Sequence, residues 1–156
     1  MKIIYPEKAT TSIKIFATLL LLVFFPVLLL GALFYLLWGL LLYVSIWVTW
    51  KQRFVLFVYS DSPIWKEYIG TTVIPKLQDQ AVLLNWSERK TWRNSLPVLV
   101  FKYFGGYKNF NPLALVFRPF HLVKDYRFFE AFQEFKYGKP QKVEKLTEEL
   151  FKNIEN

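Results

Sequence analysis

Residues Arg53–Trp65 read RFVLFVYSDSPIW. Phe54 to Tyr59 is an unbroken run of β-branched, aliphatic and aromatic side chains that stops at Ser60. A strand exposed on one face alternates apolar with polar residues. A run without alternation belongs to a strand covered on both faces, in the middle of an α/β sheet. Asp61-Ser62-Pro63 then has the composition of a helix start. Ser and Asp cap free N–H groups, and Pro suits the first helical position. Trp65, Tyr68, Ile69, Val73 and Leu77 follow at helical spacing. Gly70-Thr71-Thr72 weakens the centre of that helix, and Pro75 is expected to kink its last turn.

Upstream, Ile15–Trp50 contains no Asp, Glu, Lys, Arg or His. A bilayer core is crossed by a helix of roughly 20 apolar residues, so this run is long enough for a membrane anchor. It is too long for the apolar region of a cleaved secretory signal, and no small-x-small cleavage site follows it. Two forms fit: a hairpin of two short helices turning near Pro26–Gly31, or one long kinked span. Lys8 and Lys14 precede the run, and Lys51 and Arg53 follow it. Positive charge favours the cytoplasmic side, and the hairpin satisfies that preference at both ends, so it is the favoured form. Either form places the following domain in the cytoplasm, at the inner (plasma) membrane. The expected division is an anchor over 1–52 and a domain over 53–156.

Downstream, Ala81–Trp86, Leu113–Phe117 and Leu122–Phe128 read as further strands. A helix is expected within Trp92–Phe104, stopped by Gly105-Gly106. Lys142–Ile154 reads as an amphipathic closing helix with Val143, Leu146, Leu150 and Ile154 on one stripe. The order is strand, helix, strand, helix, strand, strand, helix. Two right-handed crossovers and a final hairpin then give a four-stranded mixed sheet flanked by helices.

The chain has no Cys and one His. That excludes disulfides, thiolate metal sites, thiol catalysis and a His-based metal cluster within one chain. No cofactor is expected. Lys and Arg total 20 against 12 Asp and Glu, a formal net charge of +8. A basic domain tethered at a membrane is drawn to anionic headgroups. Without a basic run or a binding motif, nucleic acid is not an expected partner.

Three local features resemble the glutaredoxin branch of the thioredoxin-like superfamily, as does the element order. The first strand ends in Tyr59-Ser60. Ser62-Pro63-Ile64-Trp65 stands where such proteins carry Cys-Pro-x-Cys. Asn111-Pro112 precedes the third strand, where the superfamily has a cis-proline facing that motif. The resemblance covers roughly residues 53–155 and implies a thioredoxin-like domain. Ser62 and Trp65 in the two Cys places imply that it is redox-inactive. Asn85–Arg89 and Phe110–Leu113 also resemble a family of bacterial membrane proteins of unassigned function.

Ligands of open α/β sheets bind beyond the carboxyl ends of the parallel strands. That rule gathers Ser60, Asp61 and Ser62, then Asn85, Trp86, Ser87 and Arg89, then Asn111 and Pro112, as candidate ligand-binding residues. Free N–H groups at a helix start suit a small anion, Arg89 and Arg93 suit phosphate or carboxylate, and the Pro112 turn could offer backbone hydrogen bonds to an extended peptide. Asp61 and Glu88 are read as structural, and His121 as a turn residue. The sequence shows no catalytic triad, metal set or phosphate loop. The expected function is therefore a membrane-anchored binding or scaffolding module whose partners are membrane lipid and a protein or small anionic ligand. The alternative is a glutathione-transferase-like enzyme in which Ser62, at the helix N-terminus, stabilises a bound thiolate.

Overall fold

The computed structural model describes residues 11–77, 79–108 and 110–155. Helix α1 runs unbroken over Thr11–Trp50, 40 residues with Pro26 inside it, and at 1.5 Å per residue it measures ~60 Å. The turn expected near Pro26–Gly31 is not formed. Pro26 removes one backbone hydrogen bond from a helix, whereas a reversal with no polar turn residue would leave several backbone groups without partners. The polar side chains of the last turns satisfy themselves on the helix: Ser45 donates to the Leu41 carbonyl at 2.8 Å and Thr49 to that of Ser45 at 2.6 Å. Lys51 ends the helix in a left-handed conformation (φ 53°), and the Arg53 N–H returns to the Trp50 carbonyl at 2.9 Å.

The strands are β1 (Val55–Tyr59), β2 (Ala81–Asn85), β3 (Leu113–Val116) and β4 (Lys124–Arg127). They form one mixed sheet in the order β2-β1-β3-β4. β2 lies parallel to β1, β3 antiparallel to β1, and β4 antiparallel to β3. β1, β2 and β3 sit where the apolar runs placed them, and β4 falls within the expected Leu122–Phe128. The second expected crossover does not occur. The connection from β2 leaves one end of the sheet and comes back to that same end, so β3 enters the sheet reversed.

Between β1 and β2 the chain forms α2 (Lys66–Tyr68), a π-helical turn over Ile69–Val73 and α3 (Ile74–Leu77). The wide turn falls on Gly70-Thr71-Thr72, the weak helix formers. It ends with the Ile74 N–H on the Ile69 carbonyl, just before Pro75, which has no N–H to give. A 3-10 helix over Trp86–Thr91 and α4 (Leu96–Phe104) join β2 to β3. α4 starts later than Trp92 because Pro97 is tolerated only in a first turn. Helices α5 (Phe129–Phe135) and α6 (Gln141–Glu155) close the chain.

The contacts divide the chain after Leu40. In the first unit the apolar side chains of α1 are exposed nearly throughout. The second unit begins at Leu41, ahead of the boundary expected at 52/53, and contains the sheet. Alternation along its strands builds two cores. Val55, Phe57, Ala114 and Val116 face one side, under Ile69, Val73, Leu77, Phe132, Val143 and Leu150. Leu56, Val58, Leu113 and Leu115 face the other side. That second face is covered by Val100 and Phe101 of α4 and by Leu42 and Ile46 of α1, which are 3% and 2% exposed. Trp50 meets Phe117 edge-on at 6.2 Å. The last turns of α1 are thus a core helix of the sheet domain.

Truncating a fully buried aliphatic in such a core costs about 2–4 kcal/mol, and an exposed one under about 0.5 kcal/mol. Ile46→Ala should therefore lower the thermal midpoint of the detergent-solubilised chain by several degrees. Val48→Ala, two residues on and 73% exposed, should leave it unchanged. Equal midpoints for the two variants would show that α1 does not pack on the sheet.

Candidate functional site

Parallel pairing sets Tyr59 beside Asn85, so the loops after β1 and β2 leave the sheet side by side. The antiparallel entry of β3 brings a third loop to the same end: Val58 pairs with Leu113, which sets Pro112 next to Tyr59. A parallel β3 would have carried Asn111-Pro112 to the opposite end. The Asn111–Pro112 peptide bond is cis.

The first two loops are tied together by a closed polar network. The Asp61 N–H donates to Ser87 Oγ at 2.9 Å. Asn85 Nδ2 donates to Asp61 Oδ2 at 3.0 Å and lies 3.5 Å from Glu88 Oε1. Asn85 Oδ1 accepts from the Ser87 N–H at 3.0 Å, capping the 3-10 helix. Lys66 Nζ stands 3.5 Å from Asp61 Oδ1. The hydrogen bond from Asn85, with help from Lys66 and Ser87, holds the Asp61 carboxyl below the usual carboxylate range. Burial first, then the negative charges of Asp61 and Glu88, push the Tyr59 phenol up.

The expected helix cap is displaced. Helix α2 starts at Lys66 with Trp65 at the cap position and no side-chain cap. The Asp61 side chain is instead engaged across the strand ends. Ser62 contributes its carbonyl, which accepts from the N–H groups of Trp65 at 3.2 Å and Lys66 at 2.9 Å. Ser60 is buried, and its carbonyl accepts from Trp65 Nε1 at 3.2 Å. Trp65, in the place of a second Cys, is seated in the core against Phe132 at 5.7 Å and Phe129 at 6.5 Å.

The remaining candidates divide between packing and surface. Trp86 is half-buried among Trp92, Phe101 and Phe110, with ring centroids 5.6, 5.7 and 4.5 Å away. The Arg89 guanidinium lies 5.1 Å from the Trp86 ring centroid, and its Nη1 is 3.4 Å from the Trp86 carbonyl. The Pro112 carbonyl, a possible partner for an extended peptide, already accepts from the Phe128 N–H at 2.9 Å. Asn111 Oδ1 is buried without a hydrogen-bond partner among the described residues. The strand-end cluster therefore joins Asp61, Asn85 and Ser87 directly, lays Arg89 on Trp86, and carries two carboxylates, Asp61 and Glu88. Among the described residues no three His, Asp or Glu side chains converge as a metal site.

The opposite end of the sheet carries a feature that no single stretch of sequence announces. A cavity of about 570 Å³ opens there. Ile46, Phe54, Phe117 and Ile154 supply its apolar walls, and Lys51, Arg53, Arg118 and His121 supply its polar lining, without a carboxylate. The Tyr43 hydroxyl reaches the carbonyl oxygens of Arg118 and His121, the latter at 3.0 Å, and so fastens the loop after β3 to α1. The only sequence signals were the cations that close the apolar run and the Arg118–His121 turn, which lie far apart in the chain.

No protein-family model, curated protein or solved structure matches the chain.

The lowered carboxyl of Asp61 carries a definite sign. Its contribution to stability is present at neutral pH and is lost as pH falls through the folded-state value. An NMR titration should find Asp61 titrating below the usual carboxylate range of about 3.9. Asn85→Ala should move it upward, towards that range, because the principal hydrogen bond to the ionised form is gone. An unchanged titration in Asn85→Ala would remove Asn85 as the cause.

Proposed function

We propose that this chain is a membrane-anchored, redox-inactive binding or scaffolding module with a thioredoxin-like domain on the cytoplasmic face of the inner (plasma) membrane. The observation that carries this reading is that α1 passes without a linker from an exposed apolar rod into the core of the sheet domain. The stretch Ile13–Trp50 is long and apolar enough to cross a membrane. A rod of exposed Leu, Val and Phe side chains is stable when lipid covers it, because between its ends the helix satisfies its own backbone groups apart from the one bond lost at Pro26. The cations that follow it, Lys51 and Arg53, favour the cytoplasm for the sheet domain.

The strand order, with Pro112 beside the loop after β1, supports a thioredoxin-like domain. The redox-inactive part of the reading rests on chemistry. Thiol exchange needs a thiolate, and here Ser62 and Trp65 stand in the two Cys places, with Trp65 buried in the core. Because Asp61, Asn85 and Ser87 satisfy one another, the strand-end surface is better suited to rigid presentation than to capture of a small anion. Its exposed Arg89, laid on Trp86, is the part of the candidate set best placed to meet a protein partner.

Two measurements test this. The full chain in native membranes should stay in the pellet through alkaline carbonate and high salt and leave it only with detergent. Recovery in the carbonate supernatant would defeat the anchored reading. The solubilised chain should reduce a disulfide substrate no faster than buffer does, and turnover above that background would defeat the redox-inactive one.

A further inference from the structure

We propose that the sheet end beside Lys51 is a binding site for an anionic phospholipid, with the lipid phosphate held by Arg53 and Arg118 while Phe120 and Leu122 enter the same leaflet. This rests on the membrane reading above and adds a site, a ligand class and an orientation for the domain.

The cavity there combines the two surfaces that such a lipid presents. Its walls are apolar, and its polar lining consists of Lys51, Arg53, Gln52, Arg118 and His121. A smaller cavity of about 160 Å³ next to it is lined again by Arg118 and His121, with Lys124 added. Ion pairs among the described residues include Lys66–Asp61, Arg127–Asp125 and Lys142–Glu134. None of them draws on Lys51, Arg53 or Arg118. Arg presents a planar fork that matches phosphate oxygens, and basic side chains near a bilayer surface are attracted to anionic headgroups. At the other end of the sheet the cations Lys66 and Arg89 stand with the carboxylates Asp61 and Glu88, whereas the cavity beside Arg118 has cations and no carboxylate in its lining.

The second observation is independent of charge. Phe120 and Leu122 are 103% and 92% exposed, and apart from α1 the only other large apolar side chains so exposed among the described residues are Tyr107 and Tyr137. Phe120 also takes a left-handed backbone conformation, φ 59°, which is uncommon for a bulky residue. The loop that carries them is not loose. The Tyr43 hydroxyl holds the Arg118 and His121 carbonyls, the His121 N–H returns to the Arg118 carbonyl at 3.3 Å, and His121 Nδ1 lies 2.6 Å from the Pro119 carbonyl. A braced loop that holds a Phe and a Leu outward between two cations has the chemistry of an interfacial wedge. Leu41, Val44 and Val48 of the same unit are also exposed, on a stretch of α1 that reaches Lys51 without a charge. An acidic peptide would satisfy the cations and leave these apolar groups in water. A phospholipid satisfies both.

The test uses the full chain in nanodiscs of phosphatidylcholine, with and without phosphatidylglycerol, and reads retained lipids by native mass spectrometry. Incorporation of the wild-type chain into nanodiscs checks the membrane reading by itself. If the chain incorporates, phosphatidylglycerol should be retained in preference to phosphatidylcholine. The double variant Arg53→Gln, Arg118→Gln should lower that preference by about 25-fold, roughly fivefold for each cation removed. Both side chains lie at the surface, and an unchanged thermal midpoint will confirm that the variant folds. Because the chain has no Cys, Phe120→Cys accepts a single environment-sensitive dye. Its emission should shift to the blue in nanodiscs, while the same dye at Tyr107→Cys, near the other end of the sheet, should report water. Equal retention of the two lipids, no loss in the double variant, or a watery signal at position 120 would each overturn the proposal. So would displacement of the lipid by an equal concentration of inorganic phosphate, which would make the ligand a free phosphate compound.

Discussion

Burial of Leu42 and Ile46 against Leu56, Val58, Leu115 and Phe117 is the contact on which the rest of the structure depends. A central strand apolar on both sides needs cover on both sides. One face of this sheet is covered by α2, α3, α5 and α6 with the turn between them. The other is covered by the nine residues of α4, the last turns of α1 and the rings of Trp86, Trp92 and Phe110. At about 25 cal/mol per Å² of apolar area, a buried Leu or Ile contributes roughly 2 kcal/mol, a sizeable share of the net stability of a small domain. The end of the apolar helix is therefore a structural part of the sheet domain. The Tyr43 hydroxyl extends that role by fixing the loop after β3.

The sheet has two chemically different ends because its strands are mixed in direction. The parallel pair β1 and β2 sends two polar loops to one end, where Asp61, Asn85 and Ser87 lock them together. The reversed entry of β3 brings Pro112 to that end and delivers Arg118 to the other, beside Lys51 and Arg53. One reversal of chain direction thus completes the internally bonded polar cluster and also assembles the basic cavity. β4 lies at the edge with exposed Lys124 and Asp125, charges that discourage pairing with another strand.

Much of the architecture was legible because its signals are local. Apolar runs bounded by polar residues located β1, β2 and β3 to within a residue or two, and the stripe of Val143, Leu150 and Ile154 located α6. Weak helix formers at Gly70-Thr71-Thr72 marked the π-helical turn. The site was legible only as a set of loops. That the loops after β1 and β2 adjoin follows from parallel pairing. That their polar side chains bond to one another, leaving the helix start uncapped by Asp61 or Ser62, depends on distances set when β1 and β2 come into register. The basic cavity was not legible, since Lys51 and Arg53 lie far from Arg118 in the chain.

What could be read from the sequence was the uncharged apolar run Ile15–Trp50, a four-strand α/β domain after it, and the absence of thiol chemistry. Each of these follows from composition and period alone. Only the tertiary structure decided that α1 is continuous across Pro26, that its final turns belong to the core, and that β3 runs against β1. These outcomes rest on which surfaces meet. An exposed apolar face and an uncovered sheet face look the same in sequence, and only packing shows that Leu42 and Ile46 were the missing cover for Leu56 and Val58.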